Sequence, residues 1–233
     1  VFCAVGGVEP QSETVWNQAD KYRVPRIAFV NKMDRTGADF QEVVNQMHKY
    51  LGANAVPLHL PIGAEATFEG MVDLVQMNSV RFVEKERIVG PIPENMMEQA
   101  LEARRNLIEK VADLDDEIAE LYLEDKEIPT DKLMAAIRTA TIKLMMVPVL
   151  CGAAYKNKGI QLLLDAIVDY LPSPKDLGAV IAHDPANEEK TYRRNPSENE
   201  PFAALAFKLI NDPYVGQQTF IRIFSGKLVN GMS

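Results

Sequence analysis

Pro25-Arg26-Ile27-Ala28-Phe29-Val30-Asn31-Lys32-Met33-Asp34 is the stretch on which the reading of the fold turns. Arg26–Val30 is a short apolar run of buried-strand type. Asn31-Lys32-Met33-Asp34 follows at its carboxyl end, where open α/β sheets bind their ligands. A carboxylate at Asp34 can accept two parallel hydrogen bonds from a base edge bearing adjacent N–H groups, as guanine does. Adenine presents a different edge, so such a carboxylate discriminates between the two bases. Asn31 can tether a neighbouring loop through its amide, and the alkyl stem of Lys32 can lie flat against a ring. The tetrapeptide is short, however, and an Asp in this position equally suits a helix N-cap.

Outward from this stretch, strands and helices alternate. Val1–Val5 reads as a buried strand broken by Gly6-Gly7. A helix follows to about Tyr22, opened by Pro10 and capped by Ser12. After the Arg26–Val30 strand, a helix over 39–50 carries Phe40, Val43, Val44 and Met47 on one face. Such alternation implies a parallel sheet covered on both faces. From about Gly52 the rhythm changes. Short strands are expected over 56–62, 70–75 and 80–83, the last two joined by a turn near Asn78-Ser79. A long helix is expected from Glu94 to Asp125, with Leu107, Val111, Leu114, Ile118 and Leu121 facing a core, and another over 130–143. Residues 52–145 therefore read as an α+β insertion. The alternation resumes with a Val147–Cys151 strand, a Gly152–Gly159 loop and a helix over 160–171 that ends at Pro172-Ser173-Pro174. Residues 146–182 complete the first domain begun by 1–51, and 183–201 read as a polar linker. Two strands, over 202–210 and 219–224, open an all-β unit at 202–233.

Composition narrows the function. With 47% hydrophobic and 25% charged residues, the 233-residue chain has the mix of a folded globule, not of a disordered one. A net charge of −8 gives no support to a broad nucleic-acid footprint. Twelve acidic and four basic residues fall between Glu94 and Glu127, an excess equal to that of the whole chain. Such a helix face is either merely solvated or a docking surface for a basic partner, with Asp113, Asp116, Glu117 and Glu120 as its candidate residues. Cys3 and Cys151 sit in apolar runs and read as reduced core thiols. The three histidines show no ligand spacing, so no metal is assigned, and Trp16 reads as core. The longest apolar stretch, Leu144 to Tyr155, is too short to span a membrane and contains Pro148. The chain opens inside a strand-like run without an initiator Met and stops soon after another. A fragment of a longer protein is therefore expected, whose open strand edges would pair between copies.

A second loop completes the candidate site. Cys151-Gly152-Ala153-Ala154-Tyr155-Lys156-Asn157-Lys158-Gly159 also follows a buried strand, and its small residues let backbone N–H groups approach a ligand carbonyl such as guanine O6. With Gly6-Gly7-Val8, Ser12-Glu13-Thr14-Val15-Trp16, Pro25 to Arg35, Lys156 to Gly159, Asp169 to Pro174 and Phe202 to Lys208, nearly the whole chain resembles bacterial translation elongation factor G. The resemblance implies an α/β fold with a truncated P-loop-GTPase-type parallel sheet, an α+β insertion subdomain and the first strands of a β-barrel. It also implies that Asn31, Lys32, Met33 and Asp34, with Ala153 and Ala154, bind the guanine of GTP or GDP. The parent would be a cytoplasmic GTPase that moves tRNA and mRNA on the ribosome, with the ribosomal stalk protein as partner of the acidic insertion and Mg²⁺ bound only in the full-length protein. A ribosomal-protection or release factor, or a non-enzymatic interaction module, is the alternative. Two departures stand out. Ala153-Ala154 replaces the usual Ser-Ala, and no G-x-x-x-x-G-K-[ST] occurs in these 233 residues. No catalytic residue is therefore expected within them.

Overall fold

Alternate side chains of a strand point to opposite faces of its sheet, and here both faces are apolar. Ala28 and Val30 enter one buried cluster while Phe29 enters another; Val149 and Cys151 are likewise divided from Leu150, and Ala55 from Val56. Strands of this composition belong inside a parallel sheet. The computed structural model, which describes residues 1–83, 86–184 and 186–232, has that architecture.

In chain order the first elements are β1 (Phe2–Cys3), α1 (Pro10–Lys21), β2 (Ala28–Asn31), α2 (Phe40–Leu51) and β3 (Ala55–Pro57). The next are β4 (His59–Ile62), β5 (Gly70–Asp73), β6 (Asn78–Val83), β7 (Glu86–Gly90), α3 (Met97–Ala112), α4 (Asp116–Leu123) and α5 (Thr130–Ile142). Then come β8 (Val147–Cys151), α6 (Ile160–Tyr170), α7 (Pro174–Leu177), β9 (Val180–Asp184), β10 (Asn187–Arg194), β11 (Ala203–Asp212) and β12 (Gly216–Ser225). Residues 1–171 form one compact unit and the residues from Pro172 onward a second.

The first unit holds a parallel sheet of order β1-β2-β8-β3 and an antiparallel sheet of order β4-β5-β6-β7. Helices α1 and α2 cover one face of the parallel sheet through Trp16, Phe40, Val43, Val44 and Met47. On the other face lie Leu107 and Val111 of α3, Leu133 and Ile137 of α5, and Ala166 and Tyr170 of α6. The insertion thus shares its core with the parallel sheet. Two arginines tie neighbouring elements of this core together. Arg104 donates to the carbonyls of Leu74 and Val75 at 2.6 and 2.8 Å, and Arg138 donates to that of Asp169 at 2.7 Å.

Several expectations are corrected here. Ser12 lies inside α1, whose N-cap is Glu9, because Pro10 already supplies the first-turn φ. Residues 55–57 are not part of an insertion strand, since β3 pairs with β8 in the parallel sheet. Asn78 and Ser79 lie within β6, and the chain reverses instead at 74–77, where Met77 has φ +53°. The charged sequence of β7 carries no strand signal of its own; residues 84 and 85 before it lie outside the described ones. The long acidic helix is two, because Asp115 leaves helical geometry and caps α4, accepting from the N–H groups of Glu117 and Ile118 at 3.1 Å. Leu107, Val111 and Ile118 are nonetheless buried, with Leu114 and Leu121 packed against them.

In the second unit the stretch expected to be a linker contains β10, which pairs antiparallel with β9. Strands β11 and β12 form a second antiparallel pair, as expected of opening barrel strands. Asp212 shapes their turn by accepting from Tyr214 N–H and Val215 N–H at 2.8 and 2.9 Å. Among the described residues no helix is long and apolar enough to cross a membrane.

His59 is 3% exposed and lies opposite Asp73 across β4 and β5. Burial lowers its proton affinity below the ordinary 6.5; Asp73 raises it and Arg87 lowers it again. The unfolded chain therefore binds this proton more readily than the folded one. The group's full contribution to stability is present above pH 6.5 and is lost as the pH falls below it, by at most about 1.4 kcal/mol per pH unit. Urea unfolding between pH 7 and 5 should show this slope, and His59→Gln should flatten it.

Candidate functional site

The parallel sheet delivers the site. In the β2–β8 register Val30 faces Cys151, so the chain leaves both strands at the same edge. Asn31, at the end of β2, uses a single side-chain oxygen to join the two exits. Its Oδ1 accepts from Lys32 N–H at 2.8 Å and from Ala154 N–H at 2.9 Å, a residue 123 positions away. Met33 N–H donates to Gly152 O at 3.1 Å. The two loops expected to read a guanine ring are therefore one connected unit. Lys32 adopts φ +66°, which turns the chain away from the strand and leaves its side chain exposed.

Met33 is 1% exposed and sits in the core cluster with Phe68 and Ala153. Burying this side chain holds the tetrapeptide down, so that its neighbours Lys32 and Asp34 present themselves at the surface. Asp34 is not a helix cap; that task falls to Asp39, which accepts from Glu42 N–H at 2.9 Å. The Asp34 carboxylate is 18% exposed and pairs with Lys156 at 3.1 Å. Lys156 is itself half exposed, so the pair is open to exchange for a ligand's N–H groups.

The second loop is tight. Ala153 N–H donates to Lys158 O at 2.9 Å and Lys158 N–H returns to Ala153 O at 3.1 Å. A Cβ on Gly152 would lie 2.5 Å from Lys158 O and 2.6 Å from the Phe29 ring, so only glycine fits beneath the loop. Asn157 follows at φ +55°. Tyr155 at the tip is wholly exposed. The Ala154 N–H, expected to face a ligand carbonyl, is engaged by Asn31 here. Of the two thiols Cys151 is buried, and burial pushes its pKa up; Cys3 is only half buried, not the core thiol expected.

Three residues of this region went unread in the sequence. Lys156 and Lys158 stand in a quoted run, but nothing local shows that one meets Asp34 and the other the carbonyl of Phe68. Glu65 belongs to the insertion, and its Oε1 accepts from Gly37 N–H at 2.7 Å. The acidic candidates lie elsewhere. Asp113, Asp116, Glu117 and Glu120 lie on α4 and the turn before it, away from both loops, and Glu117 pairs with Lys132 at 2.5 Å. Among the described residues no cluster of His, Cys, Asp or Glu could hold a metal ion.

Residues 1–173 match the family described as Elongation factor Tu GTP binding domain, and the chain belongs to that family of GTP-binding domains. Within it the expected likeness to elongation factor G is borne out. The chain is 54% identical to Elongation factor G of Amoebophilus asiaticus (strain 5a2), in an alignment that covers 98% of this chain and 33% of that protein. It thus spans about a third of the length of that relative. A crystal structure of a Thermus thermophilus protein shares the fold with a TM-score of 0.75 at 24% identity, covering 97% of this chain and 31% of that one.

Asn31→Ala should leave two backbone N–H groups without their acceptor and cost about 1–3 kcal/mol of stability. Asp34→Asn, which breaks only a half-exposed ion pair, should cost less than about 1 kcal/mol. Urea denaturation of both variants separates the two roles; equal losses would refute the division.

Proposed function

We propose that this chain is the base-reading part of a translational GTPase of the elongation factor G type, which couples GTP hydrolysis to movement of tRNA and mRNA on the ribosome. The observation that carries the reading is the Asn31 bridge, which holds Asp34 and Ala154 in one unit at the carboxyl edge of the sheet. In this reading the Asp34 carboxylate exchanges Lys156 for the adjacent N–H groups of guanine. The Ala154 N–H is shared between Asn31 and guanine O6. The stem of Lys32 covers one face of the ring. Residues 1–57 and 146–171 serve as the GTP-binding domain, with the segment between β3 and β8 inserted and the strands from about 202 opening the barrel. The phosphates and their Mg²⁺ require a P-loop, and none occurs in these 233 residues.

Guanosine should therefore compete with GTP about equally for the 233-residue chain, with no GTP turnover above a buffer blank. Asp34→Asn should weaken guanosine binding and shift the preference towards xanthosine, whose 2-oxo group accepts from an amide. Isothermal titration with GTP and the two nucleosides tests this. A GTP affinity far above that of guanosine, or an unchanged preference in the variant, would sink the proposal.

A second proposal rests on the acidic face of the insertion. Asp113 and Glu120 lie on α4 and its preceding turn while Ile118 faces the core, which suits docking of a basic ribosomal partner such as the stalk protein. Exposed pairs contribute only ~0.2–1 kcal/mol each, so binding should be modest and should fade as salt rises. Asp113→Lys with Glu120→Lys keeps the Asp115 cap and the Glu117–Lys132 pair intact. This double reversal should slow association with the isolated stalk protein in low salt; an unchanged rate would show the face to be merely solvated.

A further inference from the structure

The turn between β4 and β5 lies in the insertion, yet three of its polar contacts reach the two base-reading loops. Glu65 N–H donates to Met33 O at 2.9 Å. Gly37 N–H donates to Glu65 Oε1 at 2.7 Å. From the second loop, the Lys158 ammonium donates to Phe68 O and stands 5.7 Å from the centre of the Phe68 ring. Phe68 is 2% exposed and shares a core cluster with Met33 and Ala153, so one apolar cluster anchors all three segments.

The turn is closed on itself. Thr67 Oγ1 donates to Ala64 O at 2.7 Å and accepts from Ala64 N–H at 3.2 Å. Gly63 has φ +74°, and a Cβ there would lie 2.2 Å from Thr67 O. Glu65 itself has φ +56°, a conformation that costs a non-glycine residue free energy and persists only where its surroundings hold it. A glycine would relieve that cost. What glycine could not supply is the carboxylate that accepts from Gly37 N–H.

We infer that Glu65 and Lys158 are positioning residues for base recognition, fixing the Asp34 carboxylate and the Ala154 N–H at the spacing a guanine edge requires. The inference rests on the guanine-binding reading above. Glu65 grips the first loop on both sides of Asp34, at Met33 O and at Gly37 N–H, and Lys158 ties the second loop to the same insertion turn. Neither side chain touches the base. A shift of the insertion turn is thereby transmitted to both loops, which makes the insertion a determinant of base affinity and selectivity.

The test uses the 233-residue chain, isotope-labelled for NMR and titrated with guanosine and with inosine, which lacks the 2-amino group from which Asp34 would accept. Glu65→Gly removes the carboxylate at a backbone angle glycine prefers, so the fold is retained and the thermal midpoint should not fall. Its guanosine affinity should drop about three- to tenfold, the worth of a hydrogen bond, and its preference over inosine should shrink. Glu65→Gln, which keeps an acceptor oxygen for Gly37 N–H, should recover most of both. Lys158→Met, which keeps an unbranched apolar chain against Phe68, should act in the same direction as Glu65→Gly. If Glu65→Gly and Lys158→Met bind as the parent does while Asp34→Asn loses selectivity, the positioning role is wrong and the guanine site stands. If the parent itself shows no preference for guanosine over inosine, or Asp34→Asn leaves it unchanged, both fall.

Discussion

Parallel pairing of β2 with β8 is the constraint on which this molecule depends. Three residue pairs, Ala28 with Val149, Phe29 with Leu150 and Val30 with Cys151, set the register. That register fixes which side chains enter which of the two cores, and it brings the exits of both strands to one edge. A slip by one residue would send Phe29 and Leu150 to the wrong faces and part Asn31 from Ala154. The pairing closes a loop of more than a hundred residues, yet the entropy of closure grows only logarithmically with length, by about 0.6 kcal/mol per doubling. The insertion offsets this cost by folding onto the sheet it interrupts.

The core explains why the Asn31–Asp34 and Gly152–Gly159 segments are held in place although they are loops. Met33 and Ala153, one from each, are almost wholly buried. Around them stand Lys32, Glu65 and Asn157, three of the seven non-glycine residues with positive φ among those described. Such conformations persist where packing and hydrogen bonds over-determine them, and they concentrate at functional sites. Here they surround the Asp34 carboxylate, whose partner is a half-exposed lysine.

The acidic residues of the insertion have more than one duty. Asp115 caps α4, Asp116 and Glu117 complement the positive end of its dipole, and Glu117 also pairs with Lys132. Three of the twelve acidic residues that mark this segment therefore serve to start α4. Asp113 and Glu120 are left as the purest candidates for an outside partner.

What the sequence determined by itself was whatever depends on neighbours along the chain. Apolar runs such as Phe29-Val30 and Val149-Leu150 showed the strands, the spacing of Leu107, Val111 and Ile118 showed the buried helix faces, and Asn31 to Asp34 marked the candidate site. Contacts with no local signature were decided only in the tertiary structure. The pairing of β3 with β8, the pairing of Asp34 with Lys156 and the reach of Glu65 to Gly37 all join residues far apart in sequence. The charged strand β7 shows its role only against β6. Each depends on where two surfaces meet after the core has formed. Hydrophobic periodicity records which side of an element is buried, but not which partner buries it, because apolar burial is non-directional; the polar contacts that select a partner form only once packing has brought their atoms within hydrogen-bonding distance.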